Sequence, residues 1–113
     1  MMRYRGTHLG ENYRDTLFAC HFNSGQVRHI ELNPDGATFT AKDTAFLSST
    51  SRDFHPTDIL EDADGSLLLL DTGGWLSWGC PHSKAAKPEI MGAIYRIRRA
   101  DTTSSPDPRG MMI

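Results

Sequence analysis

Two stretches of this chain occur twice. Thr16 to Cys20 is matched 50 residues later by Ser66 to Leu70, and Gly25 to Ile30 by Gly92 to Ile97. In the first copy a tight turn joins the two motifs. In the second copy the same junction carries an insertion of about 17 residues. Self-similarity of this kind constrains a fold more than any single strand assignment. Each repeat is one unit that cannot bury its apolar side alone and must stack on its neighbours.

The residue pattern inside each copy is that of strands. Thr16–Phe22 is rich in β-branched and aromatic residues and is followed by Asn23-Ser24-Gly25. Gln26–Leu32 alternates, with Val27, His29 and Glu31 on one side and Arg28, Ile30 and Leu32 on the other. Two such runs about a short glycine-containing turn predict a hairpin. Asn33-Pro34-Asp35-Gly36 is a turn signal, because proline presets φ and glycine accepts positive φ. Ala37–Phe46 reads as a third strand with a kink near Lys42-Asp43. Further strands are predicted over Pro56–Asp62, Ser66–Asp71 and Ala93–Arg98, the first two joined by the turn Ala63-Asp64-Gly65. The unbroken apolar run of Leu67–Leu70 predicts burial on both sides. No stretch keeps a helical period beyond two turns, so the class is all-β. A period of ~40–50 residues built from short strands is the signature of a β-propeller blade. Residues 1–15 then read as a loop leading in, 16–99 as a partial propeller with blade strands in 16–47 and 56–99, and 100–113 as a disordered tail. Such a fragment, about one and a half blades, leaves a sheet face and several strand edges open. It implies either further blades from a longer parent chain or self-association.

Composition removes several classes of function. The formal net charge is −2, with 12 basic and 14 acidic side chains mixed along the chain. That lacks the basic face expected for nucleic-acid binding. The longest apolar run falls far short of the ~20 residues of a membrane span. Met1–Arg5 is basic, but Gly6-Thr7-His8 stands where an export signal would have its apolar core. Cys20 and Cys80 make no C-x-x-C pair and cannot form a zinc site unaided. Cys20, in an alternating strand, reads as a core thiol.

His55-Pro56-Thr57-Asp58-Ile59 through Asp64-Gly65-Ser66-Leu67 resembles the opening strand pair of NHL-type and sugar-dehydrogenase-type six-bladed propellers. Asp71-Thr72-Gly73-Gly74-Trp75, Cys80-Pro81, Lys87-Pro88-Glu89-Ile90 and Gly92 to Arg98 resemble, more narrowly, the membrane-bound-dehydrogenase-type proteins of planctomycetes and their relatives. Tyr13 to Phe18 is similar to their approach to an outer strand. The resemblance spans roughly residues 8 to 99. It implies a six-bladed propeller of the TolB-like or quinoprotein glucose dehydrogenase type, acting on a sugar or alcohol in the periplasm or cell envelope. It also implies pyrroloquinoline quinone and calcium, or a separate c-type haem domain, in the full-length parent. The quinone- and calcium-binding positions of those enzymes have no counterpart that can be placed in this sequence. The alternative is a non-catalytic propeller module binding a protein or glycan.

Blade topology predicts where a ligand would sit whichever alternative holds. Strands alternate in direction, so the connections between second and third strands share one end with those between successive blades. The long Gly73–Met91 insertion and the Ser48–His55 connection therefore lie together, and loops on a rigid scaffold are where function concentrates. The candidate ligand-facing residues are Arg52, His55, Asp58, Asp71, Trp75, Trp78 and His82, with Asp53, Lys84 and Lys87 beside them. Each has a structural alternative. Asp71 precedes Thr-Gly-Gly and suits a cap on the turn's own amides. Asp58 suits a bond to neighbouring backbone, His55 a brace for the bend before Pro56, and Lys84 and Lys87 solvated positions. Trp75 and Trp78 suit stacking on a sugar ring or packing of the loop. Asp62 and Asp64 read as turn formers at the opposite end. No metal site is expected, since calcium needs about six oxygen ligands.

Overall fold

The computed structural model describes residues 1–74, 87 and 89–101. Among them the chain is all-β, in two antiparallel sheets. The first contains β1 (Met2–Arg3), β2 (Leu17–His21), β3 (Gln26–Asp35) and β4 (Thr38–Ser48), in that order across the sheet. The second contains β5 (Pro56–Glu61), β6 (Leu67–Asp71) and β7 (Ala93–Ile97), again in chain order. The repeated motifs fall on equivalent strands, β2 with β6 and β3 with β7. A 3-10 turn over Glu11–Tyr13 is the remaining regular element among the described residues.

The leading residues, expected as a loop, contribute more than a path inward. Met2 and Arg3 pair with Phe18 and Leu17 and complete a four-stranded sheet. Tyr4 and Leu9 then enter the space between the sheets, where they join Phe18, Val27, Phe54, Ile59, Leu67 and Leu69 in one buried cluster. Burial of each large apolar side chain contributes roughly 1.5–3 kcal/mol. Phe18 is the hub of the aromatic contacts: its ring lies 4.8 Å from Phe46, 6.0 Å from Tyr13 and 6.2 Å from Tyr4.

Strand register decides which side chains reach this core. Phe18 lies opposite His29 and Cys20 opposite Val27, so these four share the covered side of the first sheet. In the second sheet Leu67 lies opposite Ile97 and Leu69 opposite Tyr95, on the covered side. The run Leu67–Leu70 is therefore not buried equally on both sides. Leu67 and Leu69 are fully buried, while Leu68 and Leu70 point outward and are partly exposed.

Two details of the hairpin differ from the sequence pattern. β3 runs through Asn33, Pro34 and Asp35 instead of turning there. Pro34 lies beyond Ile30, the last β3 residue flanked by β2, in a two-stranded arm where a missing amide costs little. The irregularity in β4 sits opposite Val27 and Arg28, not at Lys42-Asp43. The extra residue there is Phe46, and the bulge lets two consecutive apolar residues, Phe46 and Leu47, both pack on the core.

Among the described residues His29 is the one buried histidine. Thr16 Oγ1 donates to the Tyr13 carbonyl at 2.6 Å, so its lone pair is left to accept from His29 Nε2–H at 2.8 Å. Burial pushes the imidazole below its ordinary pKa. Glu31 opposes that shift and Lys42 adds to it. Burial also raises the Cys20 thiol, with Asp58 acting in the same direction, so Cys20 is a half-buried, weakly acidic thiol.

One end of the second sheet is closed by charge. The β5–β6 turn is built by Asp62, which accepts the Ala63 amide at 2.8 Å, and by Asp64, which accepts the Ser66 amide at 2.9 Å and its hydroxyl at 2.5 Å. Arg96 and Arg98, from β7 and just beyond it, reach back over this turn. Arg96 lies 2.7 Å from Asp62 and Arg98 3.1 Å from Asp64. Tyr4 seals the same turn by donating its hydroxyl to the Gly65 carbonyl at 2.7 Å. The Ser66 bonds hold the Asp64 carboxylate below its ordinary pKa, helped by Arg98 and Arg96.

Candidate functional site

The opposite end gathers the β2–β3 turn, the β4–β5 connection and both legs of the insertion. The β2–β3 turn is closed by the Gly25 amide donating to Phe22, and the connection begins with the Ser49 amide donating to Gly25, at 3.3 and 3.2 Å. Phe22 and His55 are thereby brought face to face. Their ring centroids lie 4.6 Å apart at 25°, a stacked pair that joins the first sheet to the second.

His55 is fixed on a second side. Its backbone amide donates to Asp71 Oδ1 at 2.9 Å, and its Nδ1 lies 2.6 Å from the Gly73 carbonyl. A carbonyl can only accept, so Nδ1 carries the proton, and in the neutral ring Nε2 is the nitrogen with the lone pair. Asp71 Oδ1 also accepts the Gly73 amide at 2.9 Å. One carboxylate oxygen thus pins the start of β5 and the start of the insertion together, and the Gly73 carbonyl then orients the imidazole. His55 Nε2 has no hydrogen-bond partner among the described residues, and no buried side-chain nitrogen or oxygen there lacks one.

The two legs of the insertion run against each other. Gly74 donates to Ile90 at 3.0 Å, Lys87 to Gly74 at 3.3 Å, and Ile90 to Lys87 at 2.9 Å. The approach is close enough to require glycine. Gly73 has φ 59°, and a Cβ there would meet the carbonyl oxygens of Ile90 and Met91 at 2.7 Å. A Cβ on Gly92 would meet the Asp71 carbonyl at 2.5 Å. Lys87 crosses the gap to the β4–β5 connection, with Nζ 2.5 Å from Asp53 Oδ1.

The structure thus brings together His55, Asp71, Asp53 and Lys87 of the sequence-predicted group. Arg52 lies exposed in the same connection. Asp58 is exposed on β5, where it accepts the Ile59 amide at 2.9 Å, the backbone role anticipated for it. Asp71 acts as a tether for two amides. Lys87, read as solvated, is half-exposed and paired. Trp75, Trp78, His82 and Lys84 lie outside the described residues. Sequence reading missed Phe22, whose place against His55 depends on a contact between the two sheets; its position ahead of Asn-Ser-Gly was the available signal. It also missed Arg96 and Arg98 at the other end.

Chemically, the end offers one oriented imidazole acceptor, one ion pair and one exposed guanidinium. No group of three or more His, Cys, Asp or Glu among the described residues is placed to hold a metal ion. No helix among them is long and apolar enough to cross a membrane.

Comparison with known proteins gives a family and no activity. No curated protein and no solved structure matches the chain. One family's sequence model, described as a domain of unknown function (DUF7133), matches residues 1–101. The match covers nearly the whole chain, which belongs to the DUF7133 family.

Proposed function

We propose that the chain is a section of a six-bladed β-propeller whose Phe22–His55 end takes a sugar or alcohol, within an oxidoreductase of the dehydrogenase type. Two sheets of the same meander, in chain order, support the propeller reading. The observation that carries the ligand reading is the His55 imidazole. It is held through Nδ1 by the Gly73 carbonyl, which leaves the Nε2 of the neutral ring with a lone pair and no partner among the described residues. Such an atom accepts a hydrogen bond from a hydroxyl. Oxidation of an alcohol requires a base in that position to take the hydroxyl proton. The oxidoreductase assignment itself rests on the resemblance of residues 8 to 99 to the dehydrogenase-type propellers.

The described donors at this end do not fit calcium. One imidazole, an Asp71 carboxylate engaged by two amides and an Asp53 carboxylate paired with Lys87 fall short of six to eight oxygen ligands. Calcium has no place among these residues. The chain's own contribution is to bind and orient the hydroxyl.

Titration of the full chain with glucose and with glycerol, followed through the histidine ring signals by NMR, tests this. The expected result is a saturable shift of the His55 signals in the wild type, and binding measured by calorimetry that is lost in His55→Phe. Saturable binding that is unchanged in His55→Phe would move the site elsewhere. An absence of binding to either compound would favour the module that binds a protein or glycan.

A further inference from the structure

The internal repeat shows what covers the open side of the second sheet. On the equivalence of β2 with β6 and β3 with β7, Phe18, Cys20, Val27 and His29 correspond to Leu68, Leu70, Ile94 and Arg96. In the first sheet this side is covered by the second sheet, and Val27 is 0% exposed. In the second sheet the same side is bare, and Ile94 is 71% exposed. Register confirms that the bare residues share one surface: Leu60 lies opposite Leu68, and Leu70 opposite Ile94. By the same equivalence, Leu67, Leu69 and Ile97, the side of the second sheet that does the covering, correspond to Leu17, Ala19 and Ile30. Those three lie on the side of the first sheet turned away from the core and are only partly buried. The chain therefore carries both halves of its own internal interface, one unoccupied half at each side.

We infer that copies of this chain stack head to tail, the Leu60–Leu68–Leu70–Ile94 side of one on the Leu17–Ala19–Ile30 side of the next. The contact reproduces between molecules the packing of the first sheet on the second within one molecule. The arginines on the two sides are already compensated, and Asp58, opposite Leu70, adds one carboxylate to the open side. Arg28, at the position equivalent to Tyr95, is held by Asp43 at 2.8 Å. Arg96, at the position equivalent to His29, is held by Asp62 at 2.7 Å. Two different surfaces meet, so the association is heterologous and either closes into a ring or extends. With two sheets from each copy, about three copies close a six-bladed ring. That number rests on the six-bladed reading; the contact itself does not, and neither depends on a ligand at His55.

Sedimentation velocity of the full chain over a concentration series tests the inference. The expected result is mass-action assembly above the monomer. Ile94→Glu and Ile30→Lys each disable one of the two sides, and each alone should weaken assembly at least tenfold. Mixing these two variants should yield a species of two chains that grows no further, since each retains the side the other lacks. Ala19→Glu serves as a second variant of the Leu17 side, and circular dichroism checks that each variant keeps the wild-type strand signal. A wild-type monomer at all concentrations would overturn the inference and leave the open side to other chains. Assembly broken by Ile94→Glu but untouched by Ile30→Lys and Ala19→Glu would overturn it in favour of symmetric pairing through β7.

Discussion

The two ends of the second sheet use aspartates next to turns in opposite ways. At the β5–β6 end, Asp62 and Asp64 build the turn and then hold two arginines, so the local charge is consumed. At the His55 end, Asp71 spends one oxygen on two amides and leaves a neighbouring imidazole with an unused lone pair. The first arrangement fastens β7 to the sheet. The second orients a side chain. The same residue type after the same kind of strand is thus a fastening at one end and a positioning device at the other. What separates them is whether arginines from β7 reach the turn.

The largest expected effect lies at the fastened end. Asp64→Ala removes the acceptor for the buried Ser66 amide and hydroxyl and the partner of the half-exposed Arg98, at a cost of about 2–3 kcal/mol in chemical denaturation. Protonation reproduces that loss in the wild type. The folded-state pKa of Asp64 is depressed, so its contribution is fully present above the ordinary carboxylate range and fades as pH falls through the folded value. A wild-type midpoint that drops on acidification, with a shallower drop in Asp64→Ala, is the expected pattern. Equal acid sensitivity in the two proteins would assign the loss to other carboxylates.

Asp71→Ala comes next. Two amides lose their acceptor, at about 1–2 kcal/mol. Here the ring resonances of His55 should also change, because the Gly73 carbonyl is no longer held. A stability loss with unchanged His55 signals would show that Asp71 fastens without positioning. Smallest is Lys87→Ala. The pair with Asp53 is half-exposed, so the expected loss is below about 0.5 kcal/mol and fades in high salt.

Much of the fold is legible in the sequence because its strands announce themselves locally. Alternation in Gln26–Leu32, the apolar run of β6 and the glycine-containing turns place six of the seven strands to within a few residues. What escapes is set by contacts between distant segments. Met2–Arg3 is too short to show a period, and Tyr4 and Leu9 are core residues only because two sheets close on them. The bulge at Phe46 arises because two adjacent apolar side chains both find the core, which overrides the polar Lys42-Asp43 signal. The site divides in the same way. Asp71 is legible from the turn that follows it. The orientation of His55 depends on a carbonyl 18 residues ahead and on a ring from the other sheet.

The bonded legs of the insertion have a consequence for how this surface changes over time. Gly74, Lys87 and Ile90 are tied to one another before the chain rejoins β7. The sheet therefore meets only a clasp, whatever hangs beyond it. Chain added past a clasp of this kind costs little, about 0.6 kcal/mol for each doubling of length. Segments of different length and composition can be exchanged there while β5, β6 and β7 stay in register. Sequence between Gly74 and Lys87 is then free to drift while the scaffold beneath it is held constant, and that interval is the natural place to graft a binding loop onto this domain.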